Sequence, residues 1–250
     1  MVFYIQLCGI VIRINALYKT TAHLFGNYII ENFDGNPDFT VEIDYEDVSN
    51  EFMITKMGSM LTSGSKEYYF FNREHHEFLA IHRKIANRMP FFNRFLMHGS
   101  VFSVADQAYM FSAPSGVGKT TRTRLWMEEY PETIVVNGDK PFLSVEDNAV
   151  IAYGTPWCGK EGWNTNTFKS LHAILFIERA ERKSCIKQLN FSEAMPFLLQ
   201  QTYMPKDEHV MRITLKLLKD MAGKVRFYRF QSEPTHEAIR MAHDKVMEDE

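Results

Sequence analysis

The segment Ala113-Pro-Ser-Gly-Val-Gly-Lys-Thr120 limits what this chain can fold into more than any other. It follows the apolar run AYMFSA, which is typical of a buried strand, and it leads into a predicted helix of about Thr120 to Tyr130. Gly116 and Gly118 allow the dihedral angles and the close approach by which a loop turns its N–H groups around phosphate oxygens. A strand, a glycine loop and a helix in this order predict an α/β fold with a nucleotide-binding loop.

The residues that end this loop suit a nucleoside triphosphate and its metal ion. We expect Lys119 to lie across the terminal phosphates and the Thr120 hydroxyl to bind Mg²⁺, while the helix N-terminus favours negative charge. Chance matches to the pattern in 250 residues are of order one in fifty. Ala113 replaces the usual first glycine, which matters only if that position needs a positive φ. The alternative is a glycine-rich turn that binds nothing.

An acidic side chain is also expected beyond the loop helix, because the metal ion must be held from a second side. Asp139 closes the apolar stretch TIVVNGD and is the natural candidate. Beside Gly138, an aspartate could equally be a turn-forming residue.

Apolar periodicity along the rest of the chain predicts mixed α/β structure. Ile5, Leu7 and then Ile10 alternate in shifted phase around Gly9, which predicts one strand with a bulge. Further short strands predict a small β-rich N-terminal region over 1–72, and a helix that Pro90 ends leads into a second region over 73–250. There we expect strands at HGSVFSV, TIVVNGD, LHAILFIERA and KVRFYRF, a hairpin at FLSVEDNAVIAYG, and helices near 192–202, 207–221 and after 234.

Composition restricts the partners and the compartment. The net charge is -3 and the basic residues are dispersed, so we expect neither nucleic acid nor membrane as a partner. Three scattered cysteines suit neither a disulfide framework nor a zinc site, which favours the cytoplasm. The apolar start lacks the basic flank of a secretory signal.

Four segments carry a family resemblance: His98-Gly99, APSGVGKTTRTRLW, NGDKPFL and YGTPWCGKEGWNTN. In this order and spacing they resemble the HPr serine kinase-like P-loop kinases, a group related in fold to phosphoenolpyruvate carboxykinase, and this chain is similar to their divergent members. The likeness spans about His98 to Thr202.

The resemblance implies a P-loop kinase core of the HPr kinase/phosphoenolpyruvate carboxykinase type. It further implies ATP and Mg²⁺ as cofactors and transfer of the γ-phosphoryl group to a serine hydroxyl of a peptide or protein. The oligomeric state stays open, with a homo-oligomer as one possibility. The implied catalytic residues are Asp139, His98 and Lys119, and the implied metal ligands are Thr120 and Asp139. Nucleotide binding is implied for Ser115, Gly116, Val117, Gly118, Lys119, Thr120 and Thr121.

The departure from the family lies at Gly138, where the family usually has the first of two adjacent aspartates. This loss leaves a noncatalytic ATP-binding regulator as an alternative to a protein kinase. A small-molecule kinase is a third reading, because a fold resemblance alone does not define the acceptor. We expect Gly138→Asp to raise turnover unless the glycine needs a positive φ. His98 alone could also be a capped turn residue.

The glycine-rich segment YGTPWCGKEGWNTN could close over the nucleotide or the acceptor, with Glu161 near a metal ion and Lys160 near the transferring oxygens. Equally, its two tryptophans, at 157 and 163, could anchor a structural loop. Arg122 and Arg124 on the loop helix are expected on a solvated face, with phosphate binding as the alternative.

Overall fold

A computed structural model describes residues 1–63, 72–104, 106–180 and 183–248. The chain contacts divide it into two units, Met1–Asn87 and Arg88–Glu250. The sequence predicts a boundary near residue 72, whereas the helix that follows that position packs with the first unit.

The first unit combines a small sheet with two helices. Its strands are β1 (Val2–Leu7), β2 (Ile10–Asn15), β3 (Ile29–Ile30) and β4 (Phe39–Glu42), and its helices are α1 (Tyr45–Ser63) and α2 (Arg73–Arg88), with a 3-10 segment at Lys19–Tyr28. The strand order is β3-β1-β2-β4, and β4 is parallel to β2.

The N-terminal apolar stretch is a hairpin and not the single bulged strand that the sequence predicts. Leu7 pairs with Ile10 across a two-residue turn. Both turn residues have positive φ, 55° at Cys8 and 75° at Gly9, as a tight hairpin turn of right-handed twist requires. A two-residue turn shifts the apolar alternation just as a bulge does, which explains the error.

The second unit begins with a 3-10 turn at Met89–Phe92. Its strands are β5 (Arg94–Leu96), β6 (Ser100–Val104), β7 (Gln107–Ser112), β8 (Ile134–Asn137), β9 (Phe142–Val145), β10 (Val150–Tyr153), β11 (Phe168–Glu178), β12 (Cys185–Leu189) and β13 (Arg226–Gln231). Its helices are α3 (Lys119–Glu129), α4 (Phe191–Gln201), α5 (Glu208–Asp220) and α6 (His236–Glu248).

These strands form one nine-stranded sheet in the order β5-β9-β10-β11-β7-β6-β8, with β13 beside β11 and β12 beside β13. Alternate residues of β7 face opposite sides, because Met110 packs with Leu198 of α4 while Phe111 packs with Trp126 of α3. Helices therefore cover both faces of the sheet.

The strand directions bring several chain ends to one edge of this sheet. β6 is antiparallel to both β7 and β8, and β11 is parallel to β7 and to β13. The carboxyl ends of β7, β8, β11 and β13 therefore meet beside the start of β6, the kind of edge at which α/β sheets bind ligands. No helix of the described residues is long and apolar enough to cross a bilayer.

Candidate functional site

The glycine loop joins the end of β7 to the start of α3, as the sequence predicts. Gly116 and Gly118 have φ of 82° and 108°, values that residues with a Cβ rarely adopt. Ala113 is only 2% exposed and packs in the core with Phe111 and Trp126. It is not among the described residues with positive φ, so a methyl group at this first position fits the loop.

The loop has donors available for an anion. Within the described residues, the N–H groups of Ser115, Gly116 and Gly118 have no backbone acceptor. The Lys119 ammonium folds back over the loop, where it donates to the carbonyl oxygens of Ala113 at 2.8 Å and Pro114 at 3.5 Å. Burial lowers the pKa of Lys119, and the charge of Asp139 opposes that shift. The arrangement suits a polyphosphate chain.

A cavity of about 490 Å³ contains nearly all the predicted site residues. His98, Asp139, Lys119 and Thr120 line it together with Ser115, Gly116, Gly118 and Thr121. Val117 is the exception, because it lines a neighbouring cavity. Lys160, Glu161 and Trp163 form part of the wall, so the segment after β10 does reach the glycine loop.

His98 lies just before β6 and Asp139 just after β8, and their side chains form a pair. The His98 Nε2 atom lies 3.2 Å from the Asp139 Oδ1 atom. Because an ionised carboxylate has no proton to donate, Nε2 carries the proton of this contact. Burial raises the pKa of Asp139, but the hydrogen bond from His98 and the charge of Lys140 outweigh it, so the pKa lies below its ordinary value. Asp139 is therefore an anion at neutral pH.

Asn137 is a positioning residue that the motif analysis missed. Its fully buried side chain accepts the backbone N–H groups of Asp139 at 2.9 Å and Lys140 at 2.7 Å. Its amide donates to the backbone and side-chain oxygens of Thr155. An Asn that binds the N–H two residues ahead forms an Asx turn, so Asn-Gly-Asp contained a usable signal.

Gln201 is the second missed residue, and no local signal announces it. Its backbone carbonyl accepts the N–H of His98 at 2.7 Å. Its side-chain Oε1 atom lies 3.1 Å from His98 Nδ1. The end of α4 therefore holds the imidazole from one side while Asp139 holds it from the other.

Gly138 has too little space for a side chain. Its N–H donates to the carbonyl oxygen of Trp163 at 2.8 Å. A Cβ atom there would lie 2.9 Å from the carbonyl oxygen of Cys158 and 3.3 Å from that of Trp163. The φ angle of Gly138 is not positive, so the obstacle to a side chain here is the backbone of 158–163 and not the φ angle.

The two arginines of α3 differ, and the solvated-face prediction is wrong for one of them. Arg122 is 2% exposed and donates from Nε to the Ser232 hydroxyl at 2.9 Å and from Nη1 to the Val117 carbonyl at 3.2 Å. The Arg124 side chain is 56% exposed and contacts Glu161 at 3.9 Å and the ring of Trp163. Arg122 thus stabilises the glycine loop from the buried side, through its hydrogen bond to the Val117 carbonyl oxygen.

The chain itself offers few metal ligands. No group of three or more His, Cys, Asp or Glu side chains in the described ranges is arranged to hold a metal ion. The Thr120 hydroxyl and the Asp139 carboxylate line the same cavity and are oxygen donors of the kind that Mg²⁺ prefers. They fit an ion that takes its other ligands from water and phosphate oxygens.

Comparison with known proteins gives a distant structural likeness. No family model matches the chain, and no curated protein matches it. Among solved structures, the HPr(Ser) kinase/phosphatase from Coxiella burnetii is similar with a TM-score of 0.36 and 10% identity, over 62% of this chain and 92% of that one. The function is therefore inferred from the residues of the site.

Proposed function

We propose that this protein is an ATP-dependent phosphotransferase that passes the γ-phosphoryl group to a serine hydroxyl of a peptide or protein. The observation that carries the proposal is the meeting of Lys119, His98 and Asp139 with the glycine loop in one cavity. A cation, a half-buried anion and inward N–H groups are the components that phosphoryl transfer uses, since catalysis relies on positioning and charge. The serine acceptor comes from the motif resemblance.

The chain's own groups divide the work. The N–H groups of Ser115, Gly116 and Gly118 bind phosphate oxygens. The Lys119 ammonium gives up its hydrogen bond to the Ala113 carbonyl oxygen and donates to phosphate oxygens instead. Thr120 and Asp139 would hold Mg²⁺, which when bound would neutralise charge on the phosphoryl oxygens. His98 holds the Asp139 carboxylate through its Nε2 proton.

The acceptor hydroxyl has a weaker base than in a site with paired carboxylates. The lowered pKa of Asp139 makes it a good metal ligand and a poor proton acceptor. Gly138 provides no second carboxylate. Because a general base typically contributes about 10²- to 10⁴-fold, we expect slow transfer.

A noncatalytic ATP-binding regulator is the second candidate, and the packing at Gly138 favours it. The backbone of Cys158 and Trp163 fills the space of a neighbouring side chain. The fold is thus built without a second carboxylate, as a protein that only binds nucleotide would be.

The deciding experiment follows label from [γ-³²P]ATP with Mg²⁺ into serine-centred peptides, with matched alanine-centred peptides as the control. We expect acid-stable label on the serine peptides with wild type and none with Asp139→Asn. Tight ATP binding without label on any peptide would favour the regulator.

Nucleotide binding is tested separately by calorimetry. Lys119→Ala should weaken ATP binding about 10- to 150-fold, since a hydrogen bond to a charged group contributes about 1.5–3 kcal/mol. Equal affinities in the two proteins would overturn the loop assignment.

A further inference from the structure

A second cavity, of about 400 Å³, lies against the same phosphate loop. Ser115 and Gly116 line both cavities, so the two share one stretch of loop backbone. The other walls of the second cavity come from the carboxyl end of β11 and the last turns of α4. A ligand that lies along the loop can thus extend from the first cavity into the second.

The linings of the two cavities differ in chemistry. The first is lined by Lys119, Asp139 and Glu161. The second also has charged residues: Arg179, which is exposed, and Glu178, whose carboxylate pairs with Arg229. The second presents an aromatic wall, since Phe197 is half-buried and stacks on the buried ring of Phe176 at 4.9 Å between centroids and 18° between planes. The exposed Gln200 adds an amide with both donors and an acceptor. Flat aromatic surface beside an amide suits a heteroaromatic ring.

We propose that the second cavity binds the nucleoside part of the nucleotide, with the base against Phe197 and within reach of Gln200. This inference rests on the proposed function. A nucleoside triphosphate has two ends, and the reacting end needs the cation and the anion of the first cavity. The other end carries a sugar and a flat base, which gain from stacking and from a few polar contacts.

The two ends of the ligand are also linked through one side chain. Gln201 lines the second cavity and contacts the imidazole of His98, which in turn contacts Asp139. A nucleoside bound in the second cavity would contact Gln201, and through Gln201 it would influence how His98 is oriented toward Asp139.

Calorimetry with two probes, ATP and inorganic tripolyphosphate, each with Mg²⁺, separates the nucleoside from the phosphates. Wild type should bind ATP more tightly than tripolyphosphate. Phe197→Ala should weaken ATP binding about 5- to 150-fold, the loss typical of one stacked base, and leave tripolyphosphate binding unchanged. Gln200→Ala should act in the same direction with a smaller loss. Phe191→Ala is the matched control, because Phe191 lies on the same helix and packs on the same core without lining this cavity.

Three outcomes would overturn the nucleoside site while the phosphate loop stands: equal binding of both probes by wild type, equal weakening of both probes by Phe197→Ala, or no weakening of either. Loss of peptide labelling in Phe197→Ala with ATP affinity intact would assign the cavity to the acceptor and overturn the proposal too. If wild type binds neither ATP nor tripolyphosphate, the proposed function itself is refuted.

Discussion

Gly138 shows how a single residue shapes this site. The atoms that a Cβ would meet, the carbonyl oxygens of Cys158 and Trp163, belong to the backbone. A flexible side chain could rotate away from an added methyl group, but these carbonyls move only if the segment that carries them moves. Glycine at 138 therefore lets the segment 158–163 pack directly on the end of β8.

We predict that Gly138→Ala lowers the free energy of unfolding by about 1–3 kcal/mol, the usual range for overpacking, and that Gly138→Asp lowers it at least as much. Urea denaturation of the three proteins measures this. Where space and φ allow, Gly→Ala instead stabilises by about 0.4–1 kcal/mol through the unfolded chain. If Gly138→Ala is more stable than wild type, the segment 158–163 moves aside at little cost and the prediction is wrong.

Helix α3 illustrates a difference that depends on the whole element. Arg122 and Arg124 are two positions apart, so their side chains leave the helix on different sides. Arg122 connects the start of α3 to Ser232, which follows β13, and to the loop carbonyl of Val117. Arg124 reaches sideways toward Glu161 from a largely exposed position.

We predict that Arg122→Met lowers the free energy of unfolding by about 1.5–3 kcal/mol, because buried acceptors lose a charged donor. Arg124→Met, the control on the same helix, should change it by no more than about 1 kcal/mol, as an exposed ion pair allows. Urea denaturation compares the two. Equal losses would mean that the buried hydrogen bonds of Arg122 contribute no more than the surface contact.

Elements with an apolar run, an amphipathic pattern or a motif beside them were predictable from the sequence, and elements with none of these were not. The strands β6, β7 and β8, the β9–β10 hairpin and the helices α2 to α6 all lie where their patterns place them. Helix α1 was missed because it has no apolar stripe: Met53, Ile54 and Met57 are exposed at 48%, 48% and 62%. The edge strand β12 was missed because only its last residue is buried.

Local motifs identified the part of the site that neighbouring residues build. The glycine loop and Asp139 each follow a strand directly, so strand and turn chemistry were enough to find them. Gln201 reaches His98 only because the end of α4 meets the start of β6, a pairing across more than one hundred residues. Pattern analysis has no access to such a contact.

At the scale of the whole molecule, both cavities lie within the unit Arg88–Glu250. A ligand that binds only the folded state at about 100 times its Kd stabilises that state by about 2.7 kcal/mol. That stabilisation slows every amide that exchanges through global unfolding, wherever it lies. At short labelling times amides exchange through local opening instead, so protection at those times shows which segments the ligand contacts.

We therefore predict that saturating ATP with Mg²⁺ slows short-time hydrogen exchange in 112–121, 137–139 and 158–163, because these segments line the first cavity, the one that holds Lys119 and Asp139. Exchange in Met1–Asn87 should stay unchanged at those times. Mass spectrometry of peptic peptides measures both. At an ATP concentration about equal to the wild-type Kd, Lys119→Ala should show only a small part of the protection that wild type shows, because a loss of affinity of about 10-fold or more leaves it mostly empty. Protection confined to Met1–Asn87, or undiminished in Lys119→Ala, would show that ATP binds somewhere other than the glycine loop.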